Sequence, residues 1–184
     1  MGSVRMLSKS SIVIGQHRGQ ILSMPAYIGG STDALGQKIV TVYPENKRGD
    51  LPTIVAVVQL FDPESGVCLS VMDGTYLTAV RTGAASAMAA KYLARRDAES
   101  VAVFGAGLQA ESQLEATKEV RGTLRAKVFD PRSALAAQYS DRMSKTLGTK
   151  IEVAQTPREA IRRRYRNMCI HIIHTQAPYP SDGD

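Results

Sequence analysis

The hydrophobic pattern of this chain changes period near residue 77. Before that point, residues 37–43 (QKIVTVY), 53–61 (TIVAVVQLF) and 67–72 (VCLSVM) are β-branched runs separated by the turn material PENKRGDLP and DPESG. Their hairpin-like spacing predicts a mixed or antiparallel sheet. From residue 77 to 94 the segment LTAVRTGAASAMAAKYLA reads instead as a long Ala-rich helix whose small residues suit close packing. It feeds an entirely apolar run, Val101 to Phe104, of the kind expected for a parallel strand covered on both faces. Residues 108–120 then place Leu108, Leu114 and Val120 among helix formers, and a second short strand, 126–129, ends at Asp130. The fold class is therefore α/β: a Rossmann-type, doubly wound parallel sheet preceded by a mixed, β-rich region. The domains expected are a β-rich region over 1–76, a connecting helix over 77–98 and a nucleotide-binding region over 99–184, with an atypical tail at 162–184.

The decamer 101–110, VAVFGAGLQA, carries the most specific chemistry. Gly105 permits a tight turn, Gly107 lets the backbone approach a pyrophosphate, and Ala110 in the third fingerprint position lets the helix pack close on the strand. Free N–H groups at the helix start face the anion. Asp130 lies 25 positions after Gly105, close to the spacing of roughly 20 at which an acid reaches the adenosine ribose. A carboxylate accepts from a free 2′-hydroxyl and repels a 2′-phosphate, which favours NAD over NADP. Arg132 keeps the second cofactor open, since its guanidinium could clamp a 2′-phosphate if Asp130 turned away; its alternative is a solvated loop arginine near a helix start at Ser133.

Composition narrows the class further. The chain of 184 residues suits one to two domains, and 43% hydrophobic with only 5% aromatic residues is a profile common among α/β enzymes. The net charge of +6 falls to +2 without Arg162, Arg163, Arg164 and Arg166, and one arginine cluster with only Tyr165 beside it does not describe a nucleic-acid surface. The apolar run 54–60 is too short for a membrane span, no signal core is evident, and Met6 breaks a myristoylation pattern, so a cytoplasmic protein without a membrane partner is expected. Cys68 and Cys169 supply neither a disulfide framework nor zinc spacing. Cys169, His171 and His174 resemble a metal cluster, but strand alternation sends His171 and His174 to opposite faces, so no metal site is expected.

The words HRGQILSMPAY (17–27), DALGQKIVTVYPEN (33–46), MDGTYLTAVRTGAASAMAAKYLARRDA (72–98) and VFGAGLQA (103–110) together resemble the ornithine cyclodeaminase/mu-crystallin family, which includes alanine dehydrogenases and ketimine reductases. The resemblance is to its bacterial and archaeal branch. It implies hydride transfer between NAD(H) and the α-carbon of an amino acid or imine. It implies that Arg5 and Lys38 hold the substrate carboxylate, with Arg18 the alternative to Arg5, and that Lys38 polarises the reacting group. It implies that Arg81, at what reads as the start of the Ala-rich helix, contacts the cofactor, with Gly83 and its alanine neighbours leaving room for backbone approach. Thr53 would line the nicotinamide pocket, the turn Gly105, Ala106, Gly107, Leu108, Gln109 and Ala110 would hold the pyrophosphate, and Asp130, with Arg132 nearby, would take the ribose. Homodimerisation through the N-terminal β region is also implied.

After Ile161 the sequence departs from the family pattern, with RRRYRNMCIHIIHTQAPYPSDGD in place of an acidic turn and apolar strand. Residues 168–173 can still form a strand, and Thr175 can stand in for a family Thr or Ser near the cofactor. Relatives are longer, and the part beyond this chain carries their general base and the rest of the nucleotide sheet. The expectation is an incomplete Rossmann sheet of about four strands, in which binding is safer to predict than turnover. A mu-crystallin-like dinucleotide binder without turnover and an inactive truncated fragment are the alternatives.

Overall fold

The structure is a computed structural model that describes residues 3–48, 51–122, 125–161 and 167–171. They divide into two compact units, one ending at Thr78 and the other beginning at Ala79. The boundary falls inside a helix, close to where the hydrophobic period changes.

The first unit is a six-stranded sheet built from β1 (Val4–Met6), β2 (Ser10–Ile14), β3 (Gly19–Ile28), β4 (Ala34–Val42), β5 (Ile54–Phe61) and β6 (Cys68–Asp73). Every described pairing is antiparallel, in the order β1-β3-β4-β5-β6 with β2 also on β3, so of the two arrangements the sequence left open the antiparallel one is found. The β5–β6 connection is closed by Asp62, whose carboxylate accepts from the Glu64 N–H and the Ser65 hydroxyl, and by Gly66 at a φ of +72°. These bonds hold the Asp62 carboxyl below its ordinary range, the Ser65 hydroxyl being the largest cause.

Strands β1 to β3 are not evident from periodicity. β3 contains Pro25, which cannot donate to a ladder and ordinarily argues against an inner strand. The chain accommodates it by dividing the outer edge of β3: β2 pairs as far as Ser23 and β1 begins at Ala26, so among the described residues Met24 and Pro25 face no strand partner on that side. On the other side β4 pairs with β3 without interruption from Gln20 to Ile28.

Helix α1 (Thr75–Leu93) starts two residues before the expected 77, because Asp73 accepts from both the N–H and the hydroxyl of Thr75, each at 3.0 Å. The second unit then runs β7 (Ser100–Phe104), α2 (Leu108–Arg121), β8 (Arg125–Phe129), α3 (Ser133–Leu147), β9 (Ile151–Val153), α4 (Pro157–Ile161) and β10 (Asn167–His171). Its strands are parallel in the order β10-β7-β8-β9. Alternation along β7 sends Val101 and Val103 to one face, where they pack with Leu114 of α2 and Tyr139 and Met143 of α3. Ala102 and Phe104 go to the other face, with Ala154 and with Ala160 of α4. Each fully buried large apolar side chain stabilises this sandwich by about 1.5–3 kcal/mol.

Helix α1 buries the small-residue stripe Ala79, Gly83, Ala87 and Ala90. At Gly83 a Cβ would stand 2.4 Å from the Ser112 carbonyl oxygen, so α1 and α2 cross there with backbone nearly touching. This corrects the expectation that Gly83 leaves room for a cofactor. Its missing side chain is required by a neighbouring helix.

Candidate cofactor site

β7 is flanked by β8 on one side and β10 on the other, so the strand order reverses at its carboxyl end. Open α/β sheets bind ligands at this reversal. There the chain turns through Gly105, at a φ of +97°, whose N–H donates to the Phe129 carbonyl at 2.8 Å. Only glycine adopts that backbone without strain.

The next residues build an anion site. Gly107 is the N-cap of α2 in an extended conformation with no side-chain cap, and its carbonyl accepts from the Ala110 and Glu111 N–H groups at 2.9 and 3.2 Å. That leaves the Leu108 and Gln109 N–H groups without an intrahelical acceptor at the positive end of the helix dipole. Among the described residues nothing lies within 4 Å of a Cβ built on Gly107, so no described neighbour demands glycine there. A pyrophosphate fits these residues. Leu108 is exposed, Gln109 half-buried, and Ala110 fully buried beneath α2, its carbonyl accepting from the Tyr139 hydroxyl at 3.0 Å. Burial is the main cause holding the Tyr139 hydroxyl un-ionised, far above its ordinary range.

Asp130 sits just past β8 with its side chain 3% exposed. Burial alone would raise its pKa, but hydrogen bonds and charge from Arg132, with the Ala106 N–H, outweigh it and hold the carboxyl below the ordinary range. Oδ1 accepts from the Arg132 N–H at 2.9 Å and from Nε at 3.0 Å; Oδ2 accepts from the Arg132 Nη2 at 3.1 Å and from the Ala106 N–H at 3.1 Å. Two expectations change here. The Ala106 N–H is committed to Asp130, so Ala106 shapes the turn without offering that donor to a phosphate. Arg132 is, as expected of a loop arginine before Ser133, exposed to solvent, but it is not released by a turned-away Asp130: it is also clamped on the carboxylate, which raises its own pKa. The sequence signal was the Asp-Pro-Arg spacing, since aspartate before proline favours a side-chain bond to the N–H two residues on.

Arg81 lies in the second turn of α1 and is exposed. It is therefore not in a helix's first turn, where the sequence reading put it. In the first unit, Thr53 is half-buried just before β5 and its carbonyl accepts from the Tyr43 N–H at 2.8 Å. Lys38 of β4 is half-buried, in a cross-strand row with Met24, Val58 and Met72. Arg5 of β1 belongs to a different row, with Tyr27 and Leu35. The two rows are three residues apart along regular strands, which puts Arg5 and Lys38 on opposite faces. The register does not bring these two cations together around one carboxylate. Arg18, the alternative to Arg5, is exposed in a left-handed turn and pairs with Glu45 at 3.5 Å.

Thr175, His174 and the arginines at 162–164 and 166 lie outside the described residues. Among the described residues, no group of three or more His, Cys, Asp or Glu is arranged to hold a metal ion, and no helix is long and apolar enough to cross a membrane.

Comparison with known proteins accords with this geometry. The model of the ornithine cyclodeaminase/mu-crystallin family matches residues 1–176. The Delta(1)-pyrroline-2-carboxylate reductase of Bacillus cereus is 35% identical over 154 residues, covering 84% of this chain and 47% of the relative. Among solved structures, the Thermococcus litoralis Delta(1)-pyrroline-2-carboxylate reductase in complex with NADH and L-proline superposes with a TM-score of 0.84 at 40% identity, covering 90% of this chain and 51% of that one. An archaeal alanine dehydrogenase dimer with bound NAD gives a TM-score of 0.76 at 36% identity, covering 85% and 47%. The chain spans about half the length of the curated relatives it matches.

Proposed function

The chain belongs to the ornithine cyclodeaminase/mu-crystallin family, and from that premise we infer that it serves NAD(H)-dependent hydride transfer at the α-carbon of an amino acid or imine. The observation that carries this reading is the turn from Gly105 to Ala110 at the strand-order reversal, with N–H groups at the start of α2 that have no intrahelical acceptor and, among the described residues, no neighbour within 4 Å of a Cβ at Gly107. Bound NAD(H) supplies the hydride. The chain's own contribution is positional: the Leu108 and Gln109 N–H groups hold the pyrophosphate, and the Asp130–Arg132 pair fixes the adenosine ribose. Lys38 supplies a positive charge for a substrate carboxylate and for the polarised C=N or C=O group. Arg81 and Thr53 are assigned to the cofactor on family resemblance alone.

The same reading makes the protein a cytoplasmic homodimer. Ile12, Val55, Val57 and Val71 are exposed on the Arg5 face of the antiparallel sheet, an apolar surface of the kind a second copy covers. Cys68 is a free, exposed thiol, in keeping with a reducing compartment.

Titration of NADH fluorescence against the purified chain tests the cofactor site, and no binding up to millimolar NADH refutes it. Assays of NADH oxidation with a cyclic imino acid or with pyruvate plus ammonia, and of NAD-stimulated ammonia release from ornithine, then separate turnover from binding alone. Lys38→Ala is expected to abolish turnover and spare NADH binding. Loss of both together would remove Lys38 from the substrate role.

A further inference from the structure

We propose that Tyr139 of α3 is a positioning residue for the cofactor: its buried hydroxyl, joined to the Leu108 N–H through two peptide groups, fixes and polarises the donor assigned to the pyrophosphate. This deepens the reading given under Proposed function and rests on it.

The connection runs through backbone. The Tyr139 hydroxyl donates to the Ala110 carbonyl at 3.0 Å. That carbonyl shares its peptide group with the Glu111 N–H, which donates to the Gly107 carbonyl at 3.2 Å. The Gly107 carbonyl in turn shares its peptide group with the Leu108 N–H. Hydroxyl, two peptide groups and the bound anion thus form one head-to-tail chain in which every donor points the same way. Bonds aligned in this manner strengthen one another, by roughly 10–30% per bond in condensed phases. Within α2 the Ala110 carbonyl already faces the N–H one turn on, but a carbonyl has a second acceptor position, and Tyr139 fills it. A donor added at the tail of the chain makes the Leu108 N–H a stronger donor at its head.

The surroundings favour this role. Tyr139 and Ala110 are fully buried, so water does not compete for the bond. The same helical turn is held from both sides: Arg142 of α3 pairs with Glu111, Gly83 of α1 lies against the Ser112 carbonyl, and Ser86 of α1 donates to Gln113 Oε1 at 2.9 Å. Each residue from Ala110 to Gln113 is therefore tied to a neighbouring helix. Three of those ties are side-chain bonds or packing contacts on α2; the Tyr139 bond is made to its backbone and leads to Leu108.

The adjacent Gln109 N–H lies on a different line of peptide groups. Its own carbonyl partner is that of Leu108, which accepts from the Ser112 hydroxyl at 3.2 Å. Polarisation by Tyr139 therefore reaches Leu108 and bypasses Gln109, whereas a general displacement of the turn moves both.

The test is Tyr139→Phe in the full chain, read by NADH titration and by amide NMR of the NADH-free protein. Expected are NADH affinity weaker by about three- to fivefold and an upfield move of the Leu108 amide proton with that of Gln109 in place. Replacing Tyr139 with a ring-fluorinated tyrosine, a stronger donor, should restore wild-type affinity or exceed it, since burial holds this hydroxyl un-ionised far above its ordinary range. Met143→Leu changes packing at a fully buried position of the same helix without touching the hydrogen bond, and should leave NADH affinity unchanged. A change of less than about twofold in Tyr139→Phe overturns the proposal and leaves the cofactor site standing. Equal shifts of Leu108 and Gln109, or equal losses in Tyr139→Phe and Met143→Leu, also overturn it. No NADH binding by the wild-type chain overturns both readings.

Discussion

Gly83→Ala sets two opposed effects against each other at the crossing of α1 and α2. Alanine is favoured over glycine within a helix by about 1 kcal/mol, so at an open helical site this substitution stabilises. At Gly83 the new Cβ would stand 2.4 Å from the Ser112 carbonyl oxygen and 2.8 Å from its carbon, both of them backbone atoms with no rotamer to change. Relief to ordinary contact requires the helices to part by about 1 Å. Overpacking of this sort costs ~1–3 kcal/mol, and rigid backbone on both sides favours the upper half of that range. The net expectation is a loss of about 1–2 kcal/mol, or a Tm lower by roughly 2–8 °C for a chain of this size. Ser112 lies one turn beyond Leu108, so displacing it also moves the N–H groups proposed to hold the cofactor, and NADH affinity should fall several-fold. Thermal and urea unfolding followed by circular dichroism measure the first effect and NADH titration the second. Ala84→Gly, at the adjacent exposed position, is the control and should lose only the propensity term of about 1 kcal/mol. A Gly83→Ala protein stabilised by about 1 kcal/mol, as an uncrowded helix glycine would be, refutes the close crossing.

Gly107→Ala meets no described neighbour and has an extended backbone, so it should change stability by less than about 1 kcal/mol while weakening NADH at least tenfold; equal affinity in the two proteins would remove the pyrophosphate from this turn. Tyr139→Phe should cost about 1 kcal/mol through the lost bond to the Ala110 carbonyl, and Tyr139→Ala about 3–5 kcal/mol through the cavity left in a fully buried position. Because the Asp130 pKa is depressed in the folded protein, its contribution to stability is present above the unfolded carboxylate pKa of about 4 and is lost as the pH falls through the folded value. The stability difference between wild type and Asp130→Asn should therefore shrink as the pH falls below about 4, and a constant difference across that range would contradict the assignment.

The elements legible in the sequence were those in which one period dominates. β5 to β8 and helices α1 and α2 came within one or two residues of their expected bounds, and β4 began three residues before its expected start, because β-branched runs and an Ala-rich stripe leave few alternatives. β1 to β3 were not legible: β3 mixes Met24, Pro25 and Ala26 into its middle, and what permits a strand there is the arrangement of two other strands around the proline. The turn at 105–110 was legible as a strand-to-helix turn with its backbone reversal at Gly105, since its geometry is local. The opposite faces of Arg5 and Lys38 were not, because they follow from pairing between strands distant in sequence. Gly83 was misread for a related reason: a helix glycine that admits a ligand and one that admits a second helix look alike until Ser112 is beside it.

Pro25 also acts on the folding of the first unit. A two-residue slip of β2 or β1 along β3 would keep every side chain on its proper face, so hydrophobic pattern alone does not forbid it. Such a slip toward the gap would bring strand backbone opposite a ring nitrogen with no hydrogen to give. Pro25 is thus a stop against which both outer strands come to rest, and errors of alignment that burial would overlook are rejected by a missing donor. Replacing it with valine would remove that stop while leaving the native pairing intact.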